Sequence, residues 1–161
     1  MNWSFKDEAQ YALKFVKAWM DLDPDLFAET PGGVYVSQNE DGKVLGTAKL
    51  ANPGDEVIAF TTFALNKCTA VLQCPDAISS FQIRAENADS PIYGGVISSI
   101  DGQTAHGPSG FEEHVDEAVA CATSRNFGII DLTEQEKVFA ISGNPHAAVI
   151  EEVMQSLQVA A

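Results

Sequence analysis

The sequence has few positively charged residues. Nine Lys and Arg residues stand against 23 Asp and Glu residues among 161, which gives a formal net charge of −14 at pH 7. A protein that binds nucleic acid neutralises phosphates with Lys and Arg, and an anionic membrane surface attracts the same side chains. The composition therefore argues against nucleic acid and membranes as partners. An acidic surface that favours solubility accounts for the excess of carboxylates.

Cysteine is also scarce. The three cysteines are Cys68, Cys74 and Cys121, and no two of them form a C-x-x-C motif. An odd number gives no framework of disulfides, and free thiols are typical of a reducing compartment. The first residues lack the basic and apolar segments of a signal peptide, and no apolar run reaches the ~18 residues of a membrane span. We therefore expect a cytoplasmic protein.

Motifs of the common enzyme classes are missing as well. The sequence has no P-loop, no G-x-G-x-x-G fingerprint and no two-histidine zinc motif. Ser109 with His106 or His114 supplies two residue types of a hydrolytic triad, and Asp116 supplies the third. The G-x-S-x-G spacing of a nucleophile elbow is absent, however. A protein without catalytic activity is therefore favoured over an enzyme.

Helical periodicity is present in the first half of the chain. Apolar residues recur at three- and four-residue steps between Ser4 and Leu22, and Ser4 with Asp7 is typical of a capped helix start. The stretch from Glu56 to Gln73 predicts a second helix that is apolar nearly all round. We expect this helix to lie between a sheet and either another helix or a second subunit.

Turn residues between alternating apolar residues predict two hairpins. Asp41-Gly42 and Asp101-Gly102 are tight-turn dipeptides, because both central positions of such a turn need a positive φ. The predicted strands are residues 34–38, 43–49, 95–100 and 103–106. Pro108 cannot donate to a strand ladder, so we expect the strand with His106 to be a sheet edge at the proline or to have ended before it.

The rest of the chain predicts short helices and one ambiguous segment. Helical patterns cover about residues 76–84, 111–125 and 144–158. In the second of these, we expect Glu113, Asp116 and Glu117 to form the outer face. Residues 138–142 are either a strand or the continuation of a helix that begins at Thr133.

The stretch from Pro91 to Gly110 is the part of the sequence most typical of a binding site. Gly107, Ser109 and Gly110 predict a flexible corner before a helix, with Ser109 as its N-cap and Glu112 as the partner in a capping box. Backbone N–H groups at a helix N-terminus suit an anion or a carboxylate. The alternative is a simple turn between a strand and a helix.

Three side chains could add chemistry to this corner. Lys67, one of two basic residues between positions 51 and 110, is either a solvated surface residue or the counter-charge of an acidic ligand. His106 lies beside the corner and His114 begins the next helix, and imidazole is the commonest protein ligand of haem iron. Each histidine is alternatively an exposed polar residue or a capping donor, and the pattern assigns no particular metal.

Six short motifs follow one another in a recognisable order. They are Asp-Gly-Lys-Val-Leu at 41–45, Leu-Asn-Lys-Cys-Thr-Ala at 65–70, Pro91 with Gly94-Gly95, Asp101-Gly102, Ser109-Gly110, and Asp-Glu-Ala-Val-Ala at 116–120. Their order and spacing resemble the GlcG/HbpS-like haem-binding family, which also includes the C-terminal domain of PduO-type corrinoid enzymes.

The resemblance implies an α+β fold of the profilin type, in which an antiparallel sheet of about five strands carries helices on both faces. It implies a single domain over residues 1–161, with a family-like core at about 11–122 and a C-terminal extension at about 126–161. It also implies homo-oligomers, from dimers upward. For some members of the family it implies binding of haem or another tetrapyrrole.

We therefore expect a small-molecule binding or sensing protein without catalytic activity, with haem as the candidate cofactor. The alternative is an oligomeric accessory or scaffold protein that has no cofactor. The residues predicted to bind a ligand are Lys67, Gly94, Gly95, His106, Ser109, Gly110 and His114.

Overall fold

The computed structural model describes residues 3–161. Over this range the chain forms helices and strands joined by two short 3₁₀ turns. The helices are α1 (Phe5–Leu22), α2 (Val57–Leu72), α3 (Ser80–Glu86), α4 (Glu113–Asn126), α5 (Leu132–Ser142) and α6 (Ala147–Val159). The strands are β1 (Gly32–Asn39), β2 (Val44–Ala51), β3 (Ile97–Ser98) and β4 (Thr104–Ser109).

The strands form one antiparallel sheet in the order β2-β1-β4-β3. In the register between β1 and β4, Ser37 lies opposite His106 and Val34 lies opposite Ser109. The predicted α+β class with an antiparallel sheet is confirmed, but the sheet has four strands rather than about five. Residues 138–142 belong to α5, because the buried residues Gln135, Val138 and Phe139 follow a helical spacing.

Helices cover both faces of the sheet, as predicted. On one face α2 packs on β1 and β4; on the other, α1 packs on β2 and α4 packs on β4. Side chains of a strand alternate between faces, so Val34 and Val36 contact the α2 side whereas Tyr35 lies in the larger core with α1, α4 and α6. We call these the α2 face and the α1 face of the sheet.

The first helix forms where the sequence predicts it. Ser4 and Asp7 make a reciprocal capping box, which satisfies two backbone N–H groups at the helix start. The predicted apolar stripe is buried, with Phe15 and Val16 at 0% exposure and Trp19 at 1%. The helix therefore contributes Phe15, Val16 and Trp19 to the α1-face core.

The second helix packs on the sheet and against α3, and it keeps an exposed outer side. Ala64, Cys68 and Val71 are buried against the α2 face of the sheet. On the outer side, Ile58 is 81% exposed and Phe63 is 55% exposed. Helix α3 therefore provides part of the predicted second layer, and the covering of Ile58 and Phe63 by another subunit remains a prediction.

The alternative that the strand ends before Pro108 was wrong, whereas at the proline itself the strand is a sheet edge on the side of β3, as predicted. β4 lies inside the sheet between β1 and β3, and it continues through Pro108 to Ser109. The proline is tolerated because the neighbouring strand β3 ends before reaching it, and its carbonyl accepts a hydrogen bond from Lys67 instead of from a strand.

Two predictions for α4 were also wrong. Ser109 is the last residue of β4, and the N-cap is Glu112, whose carboxylate accepts from the N–H of His114. Asp116 and Glu117 are 3% and 0% exposed rather than on an outer face. The reason is that α4 lies between the sheet, α1 and the C-terminal helices, so nearly its whole circumference is covered.

The C-terminal helices complete the α1-face core. Ile150 and Val153 of α6 are buried against α1 and α4. Gly143 ends α5 with a φ of 67°, which glycine adopts without strain. Among the described helices, none combines the length and the apolar character that a bilayer crossing requires.

Candidate functional site

A cleft opens where the segment before β3 meets the corner between β4 and α4. Its volume is about 440 Å³. The predicted site residues Lys67, Gly94, Ser109 and Gly110 all line it. These four residues, which the sequence analysis assigned to one site, therefore lie together in the fold. We call the cleft that they line the Lys67 cleft.

Lys67 forms the floor of this cleft and is not a solvated surface residue. It projects from α2 and is only 4% exposed. Its Nζ donates to the carbonyl oxygens of Gly94 at 2.9 Å and Pro108 at 3.2 Å, and lies 3.5 Å from Asp116 Oδ2. An ammonium group has three protons, so these three acceptors leave none for the acidic ligand that the sequence suggested.

Asp116 completes the floor from the side of α4. Its Oδ1 accepts from the N–H of Phe111 at 3.2 Å. Burial raises the pKa of Asp116 to about 7, although the Lys67 ammonium and the Phe111 N–H both act to lower it. A carboxyl group with such a pKa, lying in a cleft beside a charged partner, is typical of a functional site.

Aromatic side chains form the walls of the Lys67 cleft. Phe60 and Phe63 come from α2, Tyr93 from the segment before β3, and Phe111 from the corner. Phe63 is 55% exposed and Tyr93 is 64% exposed. An apolar concavity with a few convergent polar groups is the usual form of a small-molecule site.

An ion pair holds the outer wall in place. Arg84 Nη2 lies 2.5 Å from Glu113 Oε1, and the other oxygen of Glu113 accepts from the N–H of Gly94 at 3.1 Å. The guanidinium group also lies over the rings of Phe81 and Tyr93, 5.2 Å and 5.5 Å from their centroids. These contacts fix the segment that carries Tyr93 to both α3 and α4.

Two of the predicted glycines allow the backbone segments around the cleft to approach each other. Gly95 has a φ of 120°, and a Cβ there would lie 2.6 Å from Asp116 Cβ. Gly110 has a φ of 126°, and a Cβ there would lie 2.7 Å from Gly33 Cα. Only glycine tolerates both the positive φ and the close contact. Gly95 therefore lies behind the lining and shapes the cleft without contacting its contents.

The corner does not offer an anion site. The carboxylate of Glu112 accepts from the N–H of His114, and the carboxylate of Asp116 accepts from the N–H of Phe111. The protein's own carboxylates thus occupy the position that an anion would take at this helix N-terminus.

His106 lies on the α1 face, away from the Lys67 cleft. It is 0% exposed, with Nδ1 2.7 Å from Glu8 Oε1 and Nε2 2.7 Å from Thr104 Oγ1. The expectation that it lines the cleft beside the corner was therefore wrong. His106 and Ser109 are three positions apart on one strand, and an odd difference in position places side chains on opposite faces.

His114 lies near the cleft but points away from it. Its ring stacks on Phe81 at 4.9 Å between centroids, and its nitrogens lie 3.2 Å from Glu112 Oε1 and 3.1 Å from the carbonyl oxygen of Ser142. Burial lowers the pKa of His114, but the hydrogen bond to Ser142 and the charge of Glu112 outweigh it and raise that pKa overall. Its contacts join α4 to α3 and α5.

The hydrolytic triad considered from the sequence does not form. Ser109 lies on the α2 face, His106 lies on the α1 face, and Asp116 is paired with Lys67. His114 is held by Glu112 and Ser142 instead.

Glu8 is the residue that sequence reasoning missed. It is 0% exposed, and its Oε1 accepts from Tyr35 Oη at 2.8 Å and Ser37 Oγ at 3.0 Å, beside the contact with His106. A signal was present: Glu8 precedes Ala12 by four residues, so it falls on the predicted apolar stripe of α1. A carboxylate on a core-facing stripe indicates a buried partner.

The chain matches no family model, no curated protein and no solved structure. The resemblance to the GlcG/HbpS-like family, with its profilin-type fold, therefore stays a prediction.

Proposed function

We propose that the protein binds a small, flat organic molecule in the Lys67 cleft and catalyses no reaction on it there. The observation that supports this best is a buried ion pair at the floor of a cleft walled by exposed aromatic rings. Phe63 and Tyr93 leave more than half of their surface to solvent, and a bound ring system would cover it. Stacking on such rings gives affinity to flat ligands of many kinds.

The charge of the cleft narrows the class of ligand. The protons of Lys67 are all used, whereas the carboxylates of Glu112, Glu113 and Asp116 line the same space. The cleft therefore offers acceptors rather than donors, and like charges repel in a partly dry site. We infer a ligand that is neutral or positively charged and carries N–H or O–H groups.

Haem suits the aromatic walls but has no imidazole ligand in this cleft. Among the described residues, no histidine lines it. His106 is buried on the other face, and His114 has both ring nitrogens in hydrogen bonds. The carboxylates of haem would also meet those of Glu112 and Glu113. We therefore place a neutral or cationic aromatic ligand ahead of haem.

Titration with two coloured probes tests the proposal. Proflavine is a flat aromatic cation, and hemin is a larger, carboxylate-bearing tetrapyrrole. We expect the proflavine absorbance to shift on binding, and Phe63→Ala to weaken binding ~10-fold or more because it removes one aromatic wall. Ile58→Ala is the matched control, since Ile58 lies on the same helix and is 81% exposed but does not line the cleft.

Three outcomes would contradict the proposal. One is the absence of any spectral change with either probe up to ~1 mM, the weak end of specific affinity. Another is equal affinity of the wild type and Phe63→Ala for proflavine. A third is a shifted Soret band of hemin that persists in Phe63→Ala while proflavine does not bind, which would support a haem site elsewhere.

A homo-oligomeric scaffold is the second candidate function. It is favoured by the outer side of α2, where Ile58 is 81% exposed although large apolar side chains on this protein are mostly buried. We expect Ile58→Asp to convert any dimer into a monomer in light scattering while leaving proflavine binding intact. A wild-type monomer at every concentration tested would remove this candidate.

A further inference from the structure

Three side chains on the α1 face form a continuous chain of hydrogen bonds from the core to the surface. Glu8 Oε1 lies 2.7 Å from His106 Nδ1, and His106 Nε2 lies 2.7 Å from Thr104 Oγ1. Glu8 and His106 are 0% exposed, whereas Thr104 is partly exposed. A carboxylate, an imidazole and a hydroxyl in this order and at these distances have the geometry of a catalytic triad.

The surroundings of Glu8 determine which nitrogen of His106 carries the proton. Glu8 Oε1 accepts from the hydroxyls of Tyr35 and Ser37 at 2.8 Å and 3.0 Å. Ser37 Oγ also lies 2.8 Å from His106 Nδ1, and because its proton goes to Glu8, its oxygen is an acceptor for a proton on Nδ1. Burial, together with the nearby carboxylate, raises the pKa of Tyr35 well above its ordinary value, so the phenol remains a donor. A carboxylate oxygen favours the proton on Nδ1, which leaves the lone pair of Nε2 directed at the Thr104 hydroxyl.

Thr104 opens onto a cavity that is separate from the Lys67 cleft. Thr104 and His106 are two residues apart on β4 and so share the α1 face, and Thr104 is the first residue of the strand. The adjoining cavity has a volume of about 600 Å³. Its walls include the apolar side chains of Trp3, Ile100 and Ile129. A chain of hydrogen bonds with a purely structural role would not need to end at such a space.

The lining of this cavity indicates what it would accept. The side chains of Trp3 and Gln103 carry N–H groups, which are the kind of donor that stabilises a developing oxyanion. The Asp101 carboxyl at the rim has its pKa lowered by the Ser99 hydroxyl and the Gln103 N–H, so it stays charged and disfavours anions. A neutral or cationic carboxylic ester with a small acyl group meets these conditions.

From this geometry we propose that Thr104 is a nucleophile for carboxylic esters, with His106 as its general base and Glu8 as the residue that orients the imidazole. His106 Nε2 takes the proton of Thr104 Oγ1 while that oxygen bonds to the ester carbonyl carbon. The carbon–oxygen bond to the alcohol then breaks, and the proton on Nε2 passes to the departing alcohol. Water, deprotonated by the same imidazole, releases the carboxylic acid and the proton returns to Thr104.

Labelling with an alkyl fluorophosphonate tests this site directly. Attack by Thr104 Oγ1 on phosphorus expels fluoride and leaves a stable adduct, which intact mass and peptide mapping would locate. We expect the adduct on Thr104 in the wild type and in Thr104→Ser, which keeps the hydroxyl. We expect no adduct at this position in Thr104→Val, and labelling ~100-fold slower in His106→Gln, as expected for loss of a general base.

The matched control is Thr123→Val, which makes the same change at a buried threonine whose hydroxyl has no hydrogen-bond partner among residues 3–161. It should label like the wild type. An unlabelled wild type, an adduct only at other residues, or an unchanged rate in His106→Gln would each overturn the proposal. If far-UV circular dichroism shows that His106→Gln does not fold, the difference in labelling between Thr104→Ser and Thr104→Val tests the proposal instead. Proflavine binding tests the Lys67 cleft and fluorophosphonate labelling tests Thr104, so either proposal can fail while the other stands.

Discussion

Each face of the sheet buries a carboxyl group beside a basic side chain, and the two pairs differ in setting. Glu8 and His106 are both 0% exposed and lie 2.7 Å apart, with hydroxyl groups around them. Lys67 and Asp116 lie 3.5 Å apart at the floor of an open cleft. The first pair depends on the protein alone for its hydrogen bonds, whereas the second has room above it for a ligand.

The comparison shows that both burial and the number of hydrogen-bond donors determine how well a buried carboxylate is stabilised. Glu8 receives two hydroxyl donors at one oxygen in addition to the imidazole, so removing any one group leaves the others in place around a buried carboxylate. Asp116 has one ammonium and one N–H, and burial still raises its pKa to about 7. We therefore expect the α1-face pair to contribute more to stability and the α2-face pair to respond more to pH.

The largest effect should come from breaking the α1-face pair. Glu8→Ala leaves His106, Tyr35 and Ser37 without their common partner in the core. Each buried donor that loses its acceptor costs about 1–3 kcal/mol, so we expect a loss of about 3 kcal/mol or more. Urea unfolding followed by circular dichroism would measure the loss, and Glu8→Gln should recover part of it. A loss below ~1 kcal/mol would show that the network relaxes freely and that the comparison between the faces fails.

A smaller, pH-dependent effect should follow from breaking the α2-face pair. Lys67→Met leaves Asp116 without its counter-charge. At pH 5 the carboxyl takes up a proton at little cost because its pKa is already about 7, whereas at pH 8 it must be held as a buried ion. We expect a loss of about 2–3 kcal/mol at pH 8 and about 1 kcal/mol at pH 5, measured by urea unfolding. Equal losses at both pH values would contradict this assignment.

A third buried carboxyl, that of Glu117, extends the comparison because hydroxyl and amide groups hold it instead of an ammonium group, with the His114 imidazole nearby. Burial raises the pKa of Glu117 from 4.5 to about 7, against hydrogen bonds from Ser142 and Asn144 that lower it. A carboxyl with a raised pKa contributes stability at low pH, and that contribution is lost as the pH rises through 7. Wild-type stability should therefore fall between pH 5 and pH 8, and Glu117→Gln should remove about 2 kcal/mol of that fall. An unchanged slope in the variant would contradict it.

The smallest effect should come from one hydroxyl of the α1-face network. Ser37→Ala removes the 3.0 Å hydrogen bond to Glu8 Oε1 and the 2.8 Å contact with His106 Nδ1, but leaves the contacts of Glu8 with Tyr35 and His106. One hydrogen bond of this kind contributes about 1 kcal/mol. A double-mutant cycle with Glu8→Ala should show that the loss becomes smaller when the carboxylate is absent, because only the contact between Ser37 and His106 then remains. Additive losses would mean that Ser37 stabilises the protein through packing alone.

The elements that the sequence predicted correctly are those set by local patterns. The stripe of α1, the capping box of Ser4 and Asp7, and the Asp41-Gly42 turn between β1 and β2 each depend on neighbours within a few residues. Lys67, Gly94, Ser109 and Gly110 were grouped correctly because the turn chemistry around residues 91–110 marks a place where chain segments converge.

What the sequence did not predict depends on contacts between distant residues. Helix α4 has polar residues on several sides, so its periodicity could not show that Ser142 and Asn144 bind Glu117 or that Lys67 reaches Asp116. The partner of His106 is 98 positions away in the chain, at Glu8. A buried charge identifies its partner only after the fold has brought the two elements together.

The close backbone contacts at Gly95 and Gly110 have a consequence for the range of sequences that this fold permits. A saturation scan would find both positions intolerant even of alanine, because the added methyl group would meet Asp116 Cβ or the backbone of Gly33. Neither glycine has a side chain to offer a ligand. Intolerance at Gly95 and Gly110 would therefore report on the backbone conformation that the corner requires. Only the substitutions at Phe63 and Tyr93 would report on ligand binding in the cleft.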